Sequence, residues 1–284
     1  MIEEIVISAL ILGGLYALLS LGFSLITGVA RIMNFAHGAF YMLAAYLIYS
    51  ALSWGQGPAI IVSVALIIVI SLVVYKLLVG PLREKEAEAA LVTLALALII
   101  QEGVKLIWGP DYKSIPYVIT GYVTIMGVRV VTQKLVALFA SIVCVAGLFL
   151  FIRFTKSGKA TRAVTQNIEV ARLVGINVST VLMVTMAISG LLAGLAAVFF
   201  APLSVLSPTE WTVLFQFFPV IVLGGLGSLK GSMIASFLIA FIEKTVEFTI
   251  GGGFLMQTVT FVIMLVVLLV KPTGLFGKPV MRER

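Results

Sequence analysis

Long apolar stretches separated by short polar ones run through the whole sequence. A helix that crosses a hydrocarbon core of about 30 Å needs about 20 residues. The candidate spans are residues 5–28, 40–54, 59–79, 91–108, 135–152, 181–201, 213–224, 232–250 and 254–270. Residues 40–54 and 213–224 are short for a crossing and indicate broken or re-entrant segments, which lipid tolerates only where protein or a cavity covers the open backbone. We therefore expect an all-α, polytopic transmembrane helical bundle of eight to ten membrane segments, with eight or nine favoured.

The composition indicates that lipid is the solvent of these stretches. Apolar residues make up 61% of the 284 residues and charged residues 11%, against about a quarter charged in soluble domains. The mean hydropathy is +1.20, and a soluble domain of this length has no core large enough to bury so much apolar surface. The first residues include Glu3 and Glu4, whereas a secretory signal begins with basic residues. We expect the first stretch to be a retained span.

The positions of the basic residues predict the orientation, because lysine and arginine stay on the cytoplasmic side. Of 19 such residues, 14 cluster at alternate ends of the spans: Arg31, Lys76, Arg83, Lys85, Arg153, Lys156, Lys159, Arg162, Arg172, Lys230, Lys271, Lys278, Arg282 and Arg284. This set places the C-terminus inside and the N-terminus outside, which requires an odd number of crossings. Nine crossings would put the two termini on opposite sides of the membrane and eight would not. The number of crossings therefore depends on whether residues 213–224 cross. No basic patch interleaved with aromatic residues indicates a nucleic-acid partner.

Two connectors within this single transmembrane domain, residues 1–284, are longer than the others. The outer one, residues 109–134, has an alternation typical of strands. Its alternating residues are Val123, Ile125, Val128 and Val130. The inner one, residues 154–180, is polar and rich in helix-forming residues. Long connectors are often functional, and the inner one carries the more specific pattern.

The inner connector predicts a short amphipathic helix within residues 161–178. Apolar or small residues recur every three to four positions and define one face, at Val164, Ile168, Ala171 and Val174 or Gly175. Polar residues occupy the other face: Gln166, Asn167, Glu169 and Arg172. Gly175 ends the helix in the manner of a C-cap glycine. The segment is either a solvated linker helix or a helix that docks into a groove of a cytoplasmic partner.

The same residues carry a resemblance to a known family. The spacing of Glu169, Ala171 and Gly175 resembles the E-A-A-x-x-x-G loop of permease subunits in ATP-binding-cassette importers, although the Ile-x-Leu-Pro tail of the general motif is absent. Further segments resemble the branched-chain amino acid branch, and its LivH-type permeases most. They are Gly14-Leu15-Tyr16-Ala17-Leu18, Asn34-Phe35-Ala36-His37-Gly38, Ser189-Gly190-x-x-Ala193-Gly194, Gly224-Gly225-Leu226-Gly227-Ser228 and Lys271-Pro272-x-Gly274-Leu275-Phe276-Gly277.

The resemblance implies a set of partners and a role for the inner helix. It implies a second, LivM-type permease, two cytoplasmic ATPase subunits that bind ATP and Mg, and an external substrate-binding protein that delivers a branched-chain amino acid. It also implies that the inner helix couples to the ATPases through Gln166, Asn167, Glu169, Ala171, Arg172 and Gly175. Relatives carry other amino acids, amides or urea, so the cargo stays open.

No nucleotide site is visible in the chain itself. A phosphate-binding loop requires the pattern G-x-x-x-x-G-K-[ST]. The nearest candidate, Gly158-Lys159, lacks a glycine at position 153 and is followed by Ala160. We therefore expect no cofactor in this chain and no enzymatic activity of its own, with the energy supplied by partner subunits.

Ionisable residues inside predicted spans are hypotheses for function, because burying a charge in lipid is costly. Glu102 and Lys105 lie three residues apart and can pair. Glu243, Lys244 and Glu247 form a similar set. Both sets fall toward the outer ends of their spans, so they are either interface anchors or parts of an outer gate or a contact for the binding protein.

Several other residues have a structural interpretation. Asn34, His37 and Gly38 interrupt two apolar runs, and we expect a capping or inter-span role, since no cluster with metal-ligand spacing surrounds the single histidine. We expect Gly224, Gly225 and Gly227 to form a tight inner turn. The Gly190–Gly194 spacing is typical of close helix packing, and the single cysteine, Cys144, of a small packed side chain.

Two other functions compete with an importer subunit. A secondary transporter driven by an ion gradient needs broken helices in matching halves and buried carboxylates near the midplane. The two short spans fit the first requirement, but no central carboxylate is evident. A membrane enzyme needs a nucleophile with a base or a metal cluster, and the sequence offers neither.

Overall fold

Almost all of the described chain is helical. The computed structural model describes residues 1–83, 85–251 and 253–277, without the side chains of residues 253 and 254. The helices are α1 (Ile2–Ala30), α2 (Ala36–Ala51), α3 (Gln56–Val74), α4 (Glu86–Trp108), α5 (Thr132–Phe154), α6 (Lys156–Gln166), α7 (Ile168–Leu173), α8 (Val178–Phe200), α9 (Val213–Gly224), α10 (Leu229–Thr249) and α11 (Gly253–Val270). The strands are β1 (Tyr122–Ile125) and β2 (Val128–Val131). Lys278, Arg282 and Arg284 of the predicted inner set lie outside the described residues.

The predicted spans each correspond to one helix of the described chain: α1, α2, α3, α4, α5, α8, α9, α10 and α11. Five stretches have the length and hydropathy of a membrane span, with mean hydropathies of 1.9 to 2.9: Ile2–Ala30, Gln56–Val79, Glu86–Trp108, Thr132–Phe154 and Val178–Leu203. Glu210–Gly224 and Leu255–Val270 are apolar but shorter. The chain is thus a polytopic helical membrane protein, as the sequence predicted.

The bundle is built around α1 and α8. In both helices 67% of the most apolar window is buried, against 17% to 28% in α3, α4 and α5, whose outer faces are left for lipid or a partner. A polar seam joins α1 to α10, since Ser20 lies 3.0 Å from Ser236 and Ser24 lies 2.5 Å from Ser232, each pair measured between hydroxyl oxygens. Such bonds between membrane helices contribute about 0.6 kcal/mol each.

The predicted close packing at Gly190 and Gly194 occurs within the chain. A Cβ at Gly190 would lie 2.5 Å from the Ser71 hydroxyl oxygen, and one at Gly194 would lie 3.5 Å from Val64. Both neighbours belong to α3. The two glycines therefore bring α8 against α3, so this glycine pair does not need a second subunit to pack against.

Irregular backbone completes the first short span. α2 begins only at Ala36, after a non-helical segment that folds back into the bundle. Asn34 and His37 are fully buried there, and the ring of His37 lies beside Gly22, well inside α1. At its other end α2 reaches Ser50, whose hydroxyl accepts a hydrogen bond from the indole of Trp108 (2.5 Å). The segment therefore crosses the bundle.

The second short span is completed in the same way. α9 has 12 residues, which is about 18 Å of helix. Before it, Leu206 pairs with Lys113 of the 109–131 connector (N to O distances 2.8 and 3.1 Å). After it, Gly224 lies against Gly231 at the opposite end. Residues 206–224 therefore run from one end of the bundle to the other, and nine crossings stay a prediction.

The outer connector contains the predicted strands. β1 and β2 pair antiparallel, with Tyr122 opposite Val131 and Ile125 opposite Val128. Met126 and Gly127 form the turn with φ of 50° and 81°, and positive φ at both central residues is the geometry that suits the twist of a two-residue hairpin. The hairpin leads directly into α5.

Candidate functional site

The inner connector forms two helices where the sequence predicted one. Asn167 breaks the predicted helix, because its side-chain Oδ1 accepts hydrogen bonds from the backbone N–H groups of Glu169 (2.9 Å) and Val170 (3.0 Å). An asparagine that caps these groups starts a new helix. The prediction of one continuous helix is therefore wrong, and a corner separates α6 from α7.

The two helices differ in what they bury. α6 buries Thr161 and Val164 against the bundle, and α7 buries Ala171. Gln166, Asn167, Glu169, Arg172 and Gly175, the other residues predicted to couple, are all exposed. Their role in coupling stays a prediction, but all of them are accessible to a partner except Ala171.

An exposed apolar patch on α7 was missed by the sequence analysis. Val170, Leu173 and Val174 are 53%, 86% and 69% exposed. Val174 and Gly175, the alternatives for the last position of the predicted apolar face, are therefore both exposed. The spacing of 170, 173 and 174 was the available signal, because it is itself one face of a helix. We call these three residues the α7 patch.

Gly175 reverses the chain after α7. Its φ is +84°, a conformation that favours glycine. The backbone N–H of Ile176 donates to the carbonyl of Ala171, and that of Gly175 donates to the carbonyl of Arg172 (both 3.0 Å). Asn177 then caps α8 through the N–H of Thr180 (3.1 Å). The predicted helix end at Gly175 is thus present, and α8 begins three residues later.

Two glycine-containing motifs that are distant in sequence meet at one turn. The backbone N–H groups of Leu275 and Phe276 donate to the carbonyls of Leu223 (2.7 Å) and Gly224 (3.2 Å). Gly225, with a φ of +97°, has no room for a side chain, because a Cβ would lie 2.4 Å from the backbone nitrogen of Gly277. These contacts close the α9–α10 turn with the segment that follows α11.

The turn also contacts the end of α1. A Cβ at Gly227 would lie 2.7 Å from the Cα of Gly28, so the two backbones touch. Gly224, Gly225 and Gly227 therefore lie where α1, α9, α10 and the segment after α11 converge. The turn geometry agrees with the predicted one, and the inter-span role of these glycines stays a prediction.

Asn34, His37 and Gly38 lie at a junction of four helices. The Asn34 Oδ1 accepts from the backbone N–H of Ala36 (3.2 Å) at the start of α2. The His37 Nδ1 lies 2.9 Å from the Ser189 hydroxyl of α8. A Cβ at Gly38 would lie 2.4 Å from the carbonyl oxygen of Trp211, just before α9. This geometry suits a structural role.

The predicted polar set on α4 forms an ion pair. The Lys105 Nζ lies 2.7 Å from the Glu102 Oε1, with the two side chains 34% and 59% exposed. On α10 the Lys244 Nζ lies 2.5 Å from the Glu247 Oε2, with 20% and 41% exposure. Pairs this exposed contribute about 0–1 kcal/mol, and they suit anchors at a membrane interface.

Glu243 is separate from its predicted neighbours. Its side chain is 1% exposed. The hydroxyl of Tyr16 donates to its Oε2 (2.8 Å), and that of Thr260 donates to its Oε1 (2.6 Å). Because Tyr16 lies halfway along α1, the expectation that the interior has no carboxylate is wrong here. Glu243 connects α1, α10 and α11 inside the bundle.

The described residues contain no group of three or more metal-ligating side chains. Cys144 is partly buried on α5. A cavity of about 650 Å³ lies at the end of the bundle that carries α6, and its lining includes Arg153, Arg162 and Lys230. We call the end of the bundle with these residues the basic end.

Comparison with known proteins places this architecture in a family. No solved structure matches the chain. The chain is 28% identical to the high-affinity branched-chain amino acid transport system permease protein LivH of Salmonella typhimurium, over 94% of this chain and 93% of that protein. It is 27% identical to BraD of Pseudomonas aeruginosa, which has the same description, over 96% and 95% of the two chains. It is 26% identical to the probable branched-chain amino acid transport permease protein LivH of Methanocaldococcus jannaschii, over 95% and 90%.

The family comparison covers nearly the same part of the chain as the bundle. The family described as branched-chain amino acid transport system / permease component matches residues 5–270. This range includes every predicted span, the inner connector and the glycine turn. The chain therefore belongs to the family of permease components of branched-chain amino acid transport systems.

Proposed function

We propose that this chain is one transmembrane subunit of an ATP-driven importer for branched-chain or related amino acids. The observation that carries the proposal is the α7 patch, which presents three exposed apolar side chains between Glu169 and Gly175 on a helix outside the membrane spans. Isolated exposed apolar residues are common, but a continuous apolar patch with charged neighbours is typical of an interaction site.

The patch suits a helix that docks into a groove of an ATPase subunit. Burying a valine or leucine fully is worth about 1.5–3 kcal/mol, so three such residues can carry a sizeable part of a protein contact. Glu169 and Arg172 flank the patch and would set the orientation of docking through charge. Asn167 and Gly175 fix the two ends of α7, so the helix is ordered before it binds.

The energy for transport would come from partner subunits. The chain lacks a phosphate-binding loop, so we assign ATP and Mg to two cytoplasmic ATPase subunits and assign no cofactor to this chain. A second homologous permease of the LivM type would complete the membrane part. An external binding protein would deliver the cargo to the end of the bundle that carries the β1–β2 hairpin.

We assign the orientation of the chain from the basic end. Arg31 follows α1 at the end where Gly28 touches Gly227, and Lys271 precedes the segment that closes the same turn. Together with Arg153, Arg162 and Lys230, these residues place much of the basic set at one end, which the positive-inside rule assigns to the cytoplasm. With nine crossings, the N-terminus would lie outside and the coupling region and C-terminus inside.

The test is ATP-driven uptake in vesicles that contain the complete importer. We expect the Glu169→Lys, Gly175→Trp double variant to insert normally but to lose uptake and substrate-stimulated ATP hydrolysis, since it reverses a charge beside the α7 patch and distorts the end of the helix. The matched control, Arg129→Glu with Gly127→Trp on the outer hairpin, should keep its contact with the ATPase subunits. Uptake at the unmodified rate in the inner variant would refute the docking assignment.

A further inference from the structure

A groove opens at the basic end between α1, α5, α6 and the turn before α10. Its volume is about 650 Å³. The α7 patch does not line it, so this groove is separate from the proposed ATPase contact, although Gln166 at the end of α6 reaches its edge. We call it the basic groove.

The chemistry of the basic groove changes with depth. The apolar part of the lining includes Phe149 and Leu229, which are partly exposed, and Leu25, Val29 and Ile152, which are only 3%, 2% and 8% exposed. Arg153 and Arg162 on the α5 and α6 side, with Lys230 on the opposite side, lie at the exposed rim. The groove is therefore amphipathic, with apolar walls inside the bundle and cations at the membrane surface.

The rim cations have no anionic partner in the described part of the chain, since none of the ion pairs found there involves them. Arg153 lies over the ring of Phe154, 5.2 Å from its centroid, which leaves its charge uncompensated. α10 begins beside the groove at Leu229, and the start of a helix adds partial positive charge. An anion bound at the rim would relieve the repulsion among these charges.

We propose that the basic groove binds one anionic phospholipid of the cytoplasmic leaflet. The headgroup phosphate would lie among Arg153, Arg162 and Lys230, and an acyl chain would lie along the partly exposed side chains of Phe149 and Leu229. Basic pockets between membrane helices on the cytoplasmic side are suited to such headgroups. Acidic side chains of a soluble ATPase would match the rim but would leave the apolar wall uncovered, so the graded chemistry favours lipid.

A bound lipid would connect α6 to the rest of the bundle. α6 contributes Thr161, Arg162 and Thr165 to the groove, whereas Ser24 and Lys230 come from α1 and α10. A headgroup that touches both sides would hold α6, and with it the corner at Asn167, against the membrane. Lipid composition would then affect how firmly the α7 patch is presented. This inference depends on the proposed orientation and not on the cargo.

The experiment is native mass spectrometry of the complete importer, purified and equilibrated with phosphatidylglycerol or phosphatidylethanolamine. The groove variant is Arg153→Gln, Arg162→Gln, Lys230→Gln. Each basic residue near an anionic surface contributes about fivefold in affinity, so we expect roughly a hundredfold weaker phosphatidylglycerol binding in this variant. Phosphatidylethanolamine binding should stay unchanged.

The control variant removes the same charge from the same end of the bundle, with Lys76→Gln, Lys156→Gln and Lys159→Gln, none of which lines the groove. It should keep its phosphatidylglycerol. Equal loss in both triple variants would overturn the site in favour of general surface attraction. Displacement of the lipid by glycerol 3-phosphate alone would overturn the role of the apolar wall.

A second variant keeps the proposal testable if the triple variant is unstable. Thr165→Trp adds an indole at the groove without changing any charge, and it should also reduce phosphatidylglycerol binding. Unchanged binding would overturn the proposed location. A groove variant that loses lipid but keeps its ATPase subunits would support the inference. An unmodified importer that binds lipid but shows no ATP-driven uptake would count against the proposed function alone.

Discussion

Replacing Leu173 by alanine tests the α7 patch most directly. Leu173 is 86% exposed, so its side chain contributes little to the stability of the chain itself. If the patch docks into an ATPase subunit, the variant loses three carbon atoms of buried apolar surface, at about 0.8 kcal/mol for each. The sum is about 2.4 kcal/mol, or roughly a fiftyfold weaker contact.

The assay measures the binding of the purified ATPase subunit to the permease pair in nanodiscs by biolayer interferometry. The control is Leu106→Ala on α4, because Leu106 is 87% exposed and the same area is removed at the far end of the bundle. We expect Leu173→Ala to raise the dissociation constant and Leu106→Ala to leave it unchanged. Equal constants for the unmodified chain and Leu173→Ala would refute the docking model, as would equal weakening by both substitutions.

Three further substitutions test the local structure. Asn167→Ala removes the cap of α7 and should destabilise that helix by about 1 kcal/mol; faster amide exchange in α7, restored by Asn167→Asp, is the expected result, and unchanged exchange would contradict it. Gly225→Ala should lower the unfolding temperature in detergent, since a Cβ there meets the backbone at a φ of +97°, whereas Gly103→Ala, with open space around it, should be neutral or stabilising. Glu243→Ala leaves the buried Tyr16 hydroxyl without an acceptor, at a cost of about 1–3 kcal/mol, while the Thr260 hydroxyl keeps the carbonyl of Met256 (3.2 Å). Glu243→Gln, which keeps one carbonyl acceptor, should lose less stability, and an equal loss would contradict this account.

The positions of the spans could be predicted because the membrane sets the length of each helix. The extent of the two short spans was harder to predict, since α2 and α9 each cover only part of the distance between the ends of the bundle. Irregular backbone around Asn34 and Leu206 supplies the remainder, and such backbone has no periodicity to detect. Its partners, Thr93 for Phe35 beside Asn34 and Lys113 for Leu206, are distant in sequence and meet these residues only in the folded chain.

The inner connector was harder to predict because two local preferences compete there. The spacing of Val164, Ile168 and Ala171 favours one helix, while Asn167 offers its side chain to the backbone and starts another. In the structure the Asn167 side chain starts the second helix, and Val174 is exposed. The burial of Glu243 was missed for a different reason, since its partners lie on α1 and α11 and no local pattern connects them.

The hydrogen bonds of Leu275 and Phe276 to the α9–α10 turn have a consequence for biosynthesis. The carbonyls of Leu223 and Gly224 emerge from the ribosome well before their donors, which follow α10 and α11. Until the segment after α11 has been synthesised, the α9–α10 turn lacks its hydrogen bonds from Leu275 and Phe276. The nascent chain therefore completes this turn only after residues 275 and 276 have been synthesised and α10 and α11 are in place.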